Sequence, residues 1–415
     1  MTRPNLKFGI FLAPFHGLNE DPTQALKRDL QLISYLDDLG YDYAWVGEHH
    51  SGGMEIIASP EVFIAQAAVQ TKHIRFGAGV SSLICHHPLI LADRIMQLDH
   101  MTQGRVVFGM GPDALPSDGK MMGIDTLKQR DMTLQAIEVL VSLLRGETVT
   151  RKTDWFELNE ARLQLQSYSK PSVEMAVASQ VSPSGARTAG INGVGLVSIG
   201  ATTPGGFNAL AANWEIYARM ATKHSQPVDR KTWSLAGPMH IADTREKAMN
   251  DVRFGLNEWV NYFKDVAALP ITPKGEDPAE ALVASGLAVI GTPDDAIAQI
   301  KRLEAESGGF GTFLHMAHNW ADWAETKRSY ALFSRYVAPE FQHRNDNRRA
   351  SYEWAAENHT QHIPKMEQAI DIKNTKGNKN TKGNKNTKGN KNTKGSKNTK
   401  GNKNTKGKAE KATKQ

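Results

Sequence analysis

Cysteine and long apolar segments are both scarce in this sequence. Its 415 residues include one cysteine, Cys85, which cannot form an internal disulfide and cannot by itself build a thiolate metal cage. No apolar run approaches the roughly 18 residues that cross a bilayer. Polar residues also interrupt the N-terminal segment MTRPNLKFGIFLAPF, which therefore lacks a secretory pattern. These absences exclude a disulfide scaffold and predict a cytoplasmic protein without a membrane partner.

The net charge of +6 has its origin in the C-terminal segment. Residues 373–415 repeat the hexapeptide KNTKGN and contain 15 lysines and one acid, Glu410, a charge of +14, which leaves −8 for residues 1–372. Because this segment has no apolar residue beyond alanine, it cannot bury enough surface to offset its ordering entropy. We predict a disordered tail over 373–415, after a C-terminal extension over 346–372. A loose polyanion contact is the alternative to a solvated tail, but no aromatic residue is present to stack on bases, and no nucleic-acid partner is predicted.

Short apolar strands alternate with amphipathic helices between residues 6 and 340. The predicted strands are Leu6–Leu12, Tyr43–Gly47, Ile74–Ser81, Val106–Met110, Val173–Ala178, Gly195–Ile199, Leu235–Ile241 and Thr312–Met316. Eight strands with intervening helices predict a (β/α)8 TIM barrel over residues 1–345, with a doubly wound open sheet as the alternative. An inserted hairpin is predicted at 148–166, and one long helix over Arg245–Val266.

Unusual polar residues cluster where the predicted strands end. They are Glu48-His49-His50, Cys85-His86-His87, Ser179-Gln180, His315 and His318. Histidines at barrel strand ends raise the possibility of a zinc hydrolase. However, adjacent residues on a strand point to opposite faces, so neither His49-His50 nor His86-His87 delivers two ligands to one site. No metal site is predicted.

Two glycine- and serine-rich stretches suggest other kinds of binding. The stretch Gly77-Ala78-Gly79 lies inside a predicted strand, where small residues allow close approach of a flat ring system. Ser182-Pro183-Ser184-Gly185 resembles a helix start, whose free N–H groups can hold an anion, and Arg187 lies in the same first turn. Neither a nucleophile elbow nor a P-loop motif occurs in the sequence.

Five segments, in the same order along residues 5–340, resemble the bacterial luciferase-like flavin monooxygenases. They are LKFGIFLAPF, GYDYAWVGEHH, IRFGAGVSSLICHHP, LDHMTQGRVVFGMGP and GTPDDAIAQI. Two further segments, EHHSGGMEIIASPEVFIAQAA and LPSDGKMMGID, are similar to the limonene monooxygenase-like branch of that family.

The resemblance implies a homodimeric α/β barrel that receives reduced FMN, or FAD, from a separate NAD(P)H flavin reductase and uses O2. In such enzymes a flavin 4a-hydroperoxide oxygenates a small apolar substrate, for example limonene to its 1,2-epoxide, while the protein excludes water and holds the ring. Two alternatives are a deazaflavin-dependent hydride-transfer enzyme of the same superfamily and a non-catalytic flavin-binding protein.

The resemblance also assigns roles to individual residues. His49 matches the family's active-site histidine, which exchanges a proton with the peroxy group, and Glu48 is expected to orient it or to close the barrel rim. Gly79 and Val80 match the position of a non-proline cis peptide against the flavin ring. Met110 and Gly111 are assigned to the same cofactor site.

The flavin phosphate is expected near Ser179, Gln180 and Ser184. Because Gly111 and Pro112 stand where luciferase has a cysteine and an arginine, either Arg187 or helix N–H groups must replace that arginine.

The predicted substrate pocket consists of apolar residues that follow two strands. Its members are Leu115, Met121, Met122 and Trp320. Residues 266–286, rich in proline, alanine and acids, are predicted to form a mobile lid.

Overall fold

The computed structural model describes residues 5–12, 15–112, 115–267, 271 and 277–382. The strands within these ranges are β1 Lys7–Leu12, β2 Tyr43–Val46, β3 Arg75–Ser82, β4 Val106–Gly111, β5 Val149–Lys152, β6 Glu157–Ala161, β7 Glu174–Ser179, β8 Gly195–Ser198, β9 Trp233–Gly237, β10 Met239–Ile241, β11 Val289–Gly291 and β12 Thr312–Met316. The helices are α1 Pro22–Asp38, α2 Pro60–Gln70, α3 Pro88–Met101, α4 Pro116–Met121, α5 Gln129–Leu144, α6 Ser184–Asn192, α7 Pro204–Lys223, α8 Arg245–Asp251, α9 Leu256–Asp265, α10 Pro278–Ala284, α11 Pro293–Ser307, α12 Trp323–Leu332, α13 Ala338–Phe341 and α14 Asp346–Lys382.

Eight parallel strands close into a barrel in the order β1, β12, β9, β8, β7, β4, β3, β2. The barrel closes where β1 pairs with β12, with Lys7 opposite Thr312. The predicted TIM barrel is therefore confirmed, and the open-sheet alternative is wrong. The predicted hairpin is also present, since β5 and β6 pair antiparallel between α5 and β7.

Many of the helices begin at a proline that follows a residue able to cap the helix. In α1, for example, the Asp21 side chain accepts a hydrogen bond from the Gln24 N–H. Proline fits the first helical turn because its missing N–H would have no partner there. This local chemistry explains why the helix starts could be predicted from the sequence.

Alternation along the strands separates two apolar clusters. On β4, Val107 packs in the cluster that fills the barrel, whereas Phe108 and Met110 pack in the cluster between the strands and the surrounding helices. The barrel is thus packed with side chains, and its functional face is the rim at the carboxyl ends of the strands.

The seventh predicted strand, Leu235–Ile241, is in fact two strands. The barrel strand β9 ends at Gly237, Pro238 interrupts it, and β10 pairs with β11 in a separate two-stranded sheet. Proline ends the barrel strand because it has no N–H to donate to a neighbour.

The long helix predicted over Arg245–Val266 is broken at Gly255. The Gly255 N–H donates to the Trp320 carbonyl, and a Cβ at this glycine would lie 2.0 Å from the Asn319 carbonyl oxygen. Only glycine permits this close approach, which separates α8 from α9 at the loop that follows β12. Of residues 266–286, predicted as a lid, positions 268–270 and 272–276 lie outside the described residues, and α10 occupies Pro278–Ala284.

The chain divides into two units, residues 1–346 and 347–415. In the second unit, α14 continues through residues 373–382, which were predicted to be disordered. The helix therefore reaches ten residues into the segment predicted as a tail, since extending an existing helix costs much less than starting one and lysine is a good helix former. Residues 383–415 lie outside the described residues. None of the described helices combines the length and apolar character needed to cross a membrane.

Candidate active site

Helix α9 covers the rim formed by the carboxyl ends of the barrel strands. Its Trp259 and Tyr262 pack with residues that follow other strands: Trp259 meets the Trp320 ring edge-on at 5.0 Å between centroids, and Tyr262 meets Phe15 at 5.2 Å. Leu115 belongs to the same buried cluster. Apolar side chains of α9 and of the segments after other strands therefore cover this part of the rim.

His49 follows β2 at this rim and is held on both sides of its ring. Its Nδ1 lies 3.2 Å from Oδ2 of Asp118, within hydrogen-bond distance, and its Nε2 lies 3.4 Å from Oε2 of Glu55. The backbone N–H of His49 donates to the Ile57 carbonyl, so the loop after β2 folds back over the ring. The side chain of His49 is 14% exposed, and an imidazole in this setting is suited to proton transfer in an enclosed site.

Both carboxylates that face His49 are buried and have further partners. The Tyr262 hydroxyl donates to Oε1 of Glu55 at 2.8 Å. The Ser51 hydroxyl donates to Oδ1 of Asp118 and also lies 2.6 Å from the Ser117 hydroxyl. Three rim segments, the loop after β2, α4 and α9, are joined in this way into one polar network beside the apolar cluster.

Burial raises the pKa of Glu55 above its usual value, and the nearby charge of Asp118 acts in the same direction. The charge of His49 and the hydrogen bond from Tyr262 lower that pKa, but they do not cancel the effect of burial. Burial, together with the charge of Glu55, also raises the pKa of Tyr262. Tyr262 therefore acts as a hydrogen-bond donor at ordinary pH.

Glu48 does not orient His49, contrary to the first of the two roles expected for it. Its Oε1 lies 2.7 Å from Nε2 of His86 and 3.0 Å from Nε2 of His50, and its Oε2 accepts the Ser82 N–H. Glu48 thus ties the end of β2 to the end of β3, as expected for closing the rim. Neighbouring residues on an extended chain point apart, which is why Glu48 and His49 have separate partners.

The pKa of His86 reflects this pairing. Burial lowers the pKa of His86, but the hydrogen bond and the charge of Glu48 outweigh that effect, so the pKa lies above its usual value.

The flat ring that lies against the small residues of β3 belongs to the protein itself. A Cβ at Gly77 would lie 2.1 Å from the indole of Trp45, and one at Gly109 would lie 2.5 Å from the same ring. Of the stretch Gly77-Ala78-Gly79, Gly77 thus gives close approach to the ring of Trp45, which fills this part of the barrel.

Gly79, Val80 and Gly111 lie nearer the rim. The register of β3 against β4 shifts between Ala78 and Ser81, and Gly79 has a φ of +113° within this bulge. Such a φ strongly favours glycine. A Cβ at Gly111 would lie 2.3 Å from Cγ1 of Val80, so these two residues are in contact. The cis peptide implied at Gly79 and Val80 is not found, since the cis bond among the described residues is Lys170–Pro171.

The methionines assigned to the site lie elsewhere. Met110 is buried between the barrel and the helices, because alternation along β4 points it away from the barrel interior. Met121 and Met122 are 68% and 41% exposed, because α4 turns Asp118 and Gly119 inward instead. These three assignments are corrected, whereas Leu115 and Trp320 do lie in the apolar enclosure.

The serines expected at the phosphate lie around the N-terminus of α6. The Ser179 hydroxyl is buried and has no hydrogen-bond partner among the described residues. The Ser182 and Ser184 hydroxyls lie 3.2 Å apart, and Nη2 of Arg130, from α5, donates to Ser182 at 3.3 Å. Arg187 is exposed on the same helix.

Gln180 uses its backbone carbonyl to accept a hydrogen bond from the Asn213 side chain. This contact fixes the loop that leads from β7 to α6, while the Gln180 side chain is exposed.

Further buried polar atoms without partners lie at the enclosure. Within the described ranges, they include Nε1 of Trp259, Nε1 of Trp320 and Oδ1 of Asn319. Buried polar groups in proteins are normally hydrogen-bonded. The two indole N–H donors and the amide acceptor suit the polar edge of a ring system, and the serine-rich start of α6 suits a phosphate group. A ligand with both parts fits this set of residues. No group of three or more histidine, cysteine or acidic side chains that could hold a metal ion occurs among the described residues.

His315, within β12, and His318, just after it, are both held neutral by burial. Burial lowers the pKa of His318 to about 3, and its ring stacks on Trp320 at 4.0 Å while Nε2 contacts the Met239 carbonyl at 3.1 Å. His315 points into the layer between barrel and helices, away from the rim, and burial lowers its pKa to about 3.

Four residues of the site were not predicted. Glu55 is only six positions after His49, and Asp118 lies in a segment noted for its resemblance, so both were within reach of sequence reasoning. Tyr262 and Arg130 carry no local signal, because only the closed barrel brings their helices to the rim and to the α6 start.

The sequence profile of the luciferase-like monooxygenases matches residues 6–310. This chain belongs to the luciferase-like monooxygenase family. As a family member it is a flavin-dependent monooxygenase. It is 45% identical, over 335 residues, to limonene 1,2-monooxygenase of Rhodococcus erythropolis, an alignment that covers 80% of this chain and 86% of that protein. It is 43% identical over 361 residues to 4-hydroxyprotoasukamycin monooxygenase of Streptomyces nodosus subsp. asukaensis, which covers 85% and 96% of the two chains.

A solved structure supports the same family assignment. The oxygenating constituent of 3,6-diketocamphane monooxygenase from Pseudomonas putida, a type II Baeyer-Villiger monooxygenase in complex with FMN, superposes with a TM-score of 0.67 at 25% identity. The match covers 81% of this luciferase-like monooxygenase and 98% of that chain.

Proposed function

We propose that this protein is the oxygenating component of a two-component monooxygenase. It receives reduced FMN from a separate NAD(P)H flavin reductase, uses O2 and oxygenates a small apolar substrate of terpene size, such as limonene at its 1,2 double bond. The observation that carries the proposal is His49, held between two buried carboxylates beneath an apolar cover. The 45% identity with a limonene 1,2-monooxygenase supports the substrate class.

The α6 start supplies the phosphate site in this proposal. The hydroxyls of Ser179, Ser182 and Ser184, the free N–H groups of the helix and the guanidinium of Arg130 would hold the phosphate. This set replaces the arginine that the family carries after the fourth barrel strand, and Arg187 remains a second candidate cation.

The ring of the cofactor would lie at the rim, near Gly79, Val80 and Gly111. When bound, the reduced flavin supplies the activation of O2. The indole N–H groups of Trp259 and Trp320, which lack partners among the described residues, are available to its polar edge.

His49 moves the proton that the oxygenation requires. Asp118 lies at hydrogen-bond distance from Nδ1 and fixes the orientation of the ring, which leaves Nε2 as the atom that gives or takes a proton. The side chains of Leu115, Trp259 and Trp320 exclude water, which prevents unproductive loss of the activated oxygen.

Reconstitution tests the proposed function. Purified protein is supplied with FMN, NADH, a flavin reductase, O2 and limonene, and oxygenated products are measured by gas chromatography. We expect limonene 1,2-epoxide or its hydrolysis product, formed only when both proteins are present. If neither limonene nor other small apolar alkenes and ketones are oxygenated in the complete mixture, the proposal is wrong.

The Arg130→Ala variant tests the phosphate site. Loss of one charge-assisted hydrogen bond is expected to raise the Kd for FMN about tenfold and to leave the Kd for riboflavin, which lacks the phosphate, unchanged. Fluorescence titration of both flavins measures the two constants.

The matched control is Arg145→Ala. Arg145 caps the other end of α5 and donates to the carbonyl of Asn192, the last residue of α6, so its loss should not change the Kd for FMN. Equal weakening of FMN and riboflavin in Arg130→Ala would show that Arg130 does not bind the phosphate.

A further inference from the structure

Glu55 lies against the ring nitrogen of His49 that is not held by Asp118. Its Oε2 is 3.4 Å from Nε2 of His49, while the opposite nitrogen, Nδ1, lies 3.2 Å from Asp118. If Nε2 is the atom that exchanges a proton during oxygenation, Glu55 is the protein group nearest to that proton in the described network. The glutamate is buried, so bulk water does not easily take its place.

The other oxygen of Glu55 is held from the covering helix. Tyr262 of α9 donates to Oε1 at 2.8 Å, and its own ring is buried beside Phe15. Gly52 lies in the same loop as Glu55, and a Cβ there would lie 3.3 Å from the Tyr262 hydroxyl and 3.2 Å from Cδ1 of Leu115. The position of Glu55 is thus coupled to the seating of α9 on the loop after β2.

Three ionisable groups face Glu55 from the elements packed around it. They are His49 from the end of β2, Asp118 from α4 and Tyr262 from α9. Burial and Asp118 raise the pKa of Glu55, whereas His49 and Tyr262 lower it. The protonated and ionised forms of Glu55 are therefore closer in free energy than those of an exposed glutamate at neutral pH.

We propose that Glu55 is a positioning residue that receives and returns the proton at Nε2 of His49, and that Tyr262 sets which carboxyl oxygen does so. The inference rests on the proposed function, in which His49 moves the proton. In the transfer, the N–H bond at Nε2 breaks and an O–H bond forms at Oε2. An imidazolium and a carboxylate become a neutral imidazole and a neutral carboxyl, and no electrons are transferred between the groups. The Tyr262 hydrogen bond thus links the helix that covers the rim to the carboxyl group that exchanges the proton.

Two variants test the inference, with one matched control. Glu55→Gln keeps the size of the side chain and can still accept from Tyr262, but it cannot exchange a proton. Tyr262→Phe removes only the hydroxyl. Tyr41→Phe is the control, because its buried hydroxyl also makes one hydrogen bond, to the Tyr330 carbonyl, in the layer between barrel and helices.

The first readout needs no flavin. Infrared difference spectra of the purified proteins over a pH series report the carbonyl band of protonated carboxyls. Other acids with a raised pKa, such as Asp29 and Asp42, cancel when variants are compared. In the wild type, we expect this band to persist above the pH at which exposed carboxyls ionise. The band should be lost in Glu55→Gln and should persist to higher pH in Tyr262→Phe. Tyr41→Phe should match the wild type.

The second readout is the pH profile of product formation. Glu55→Gln should lower kcat about tenfold with KM for the substrate little changed, and should flatten the pH dependence, while Tyr262→Phe should shift it to higher pH. Unchanged kcat and pH profile in Glu55→Gln, or coincidence of Tyr262→Phe with Tyr41→Phe in both readouts, overturns the inference. If the wild type forms no oxygenated product, the proposed function has failed, and the infrared difference alone then decides whether Glu55 holds the proton.

Discussion

The His49→Ala variant is expected to lose oxygenation by at least about 100-fold, the lower end of what a general acid or base contributes, while its Kd for reduced FMN stays within about threefold. The reason is the separation of tasks in the site. Asp118 and Glu55 contact the imidazole of His49 at the barrel rim, whereas the proposed phosphate site lies at the start of α6. Product formation under coupled conditions and anaerobic flavin titration measure the two quantities separately.

His100→Ala is the control for this result. His100 is exposed on α3, and its Nε2 contacts the Gln166 carbonyl at 2.7 Å, so its removal should leave oxygenation within about twofold. Full coupled activity in His49→Ala would mean that His49 serves packing alone. Loss of both flavin binding and activity would point instead to collapse of the rim, because Asp118 and Glu55 are buried and would each lose a partner.

The His315→Phe variant is expected to make the protein markedly more resistant to acid. The imidazole of His315 lies among four aromatic rings, the nearest of which is Phe333 at 4.2 Å, and neither ring nitrogen has a partner among the described residues. Burial lowers its pKa from 6.5 to about 3. The folded protein therefore keeps this side chain neutral, while the unfolded chain binds a proton below pH 6.5.

The sign of the pH dependence follows from this difference. At pH above 6.5 neither state binds the proton and His315 has no effect, whereas between pH 6.5 and about 3 stability falls as the pH falls. At pH 5 the loss amounts to about 2 kcal/mol. Phenylalanine cannot bind a proton, so the difference in unfolding free energy between pH 7.5 and pH 5 should be about 2 kcal/mol smaller in His315→Phe.

Urea unfolding at the two pH values measures this effect. The exposed His224, just after α7, provides the matched control, since His224→Phe should keep the pH dependence of the wild type. If His315→Phe also kept the wild-type dependence, His315 would not be neutral in the folded protein. Because the variant leaves no hydrogen bond broken, we expect no loss of stability at pH 7.5.

Several features of the site could be predicted because they depend on local patterns. Apolar strands, proline-led helix starts and glycine breaks are read from short windows, and they placed His49, Ser179 and Trp320 on one rim. The resemblance of five ordered segments indicated the family. The predicted direction of the Met110 side chain was wrong, because alternation along a strand does not by itself say which face points into the barrel.

Contacts between distant segments could not be predicted in this way. Glu48 and His49 are neighbours, yet Glu48 pairs with His86 and His49 with Asp118. The sequence around these residues does not indicate which partner each one takes. That the Trp45 ring fills the space beside Gly77 and Gly109 was likewise decided only by packing.

The sequence by itself determined the barrel, its order of strands and helices, the histidine at its rim and the family to which the protein belongs. The tertiary structure decided what surrounds that histidine: the carboxylates of Asp118 and Glu55 and, through α9, the hydroxyl of Tyr262. The physical reason is the range of the interactions. Strand and helix patterns follow from side chains a few positions apart, whereas Tyr262 and Glu55 are 207 residues apart and meet only once the sheet has closed and Gly255 has redirected the chain over its rim.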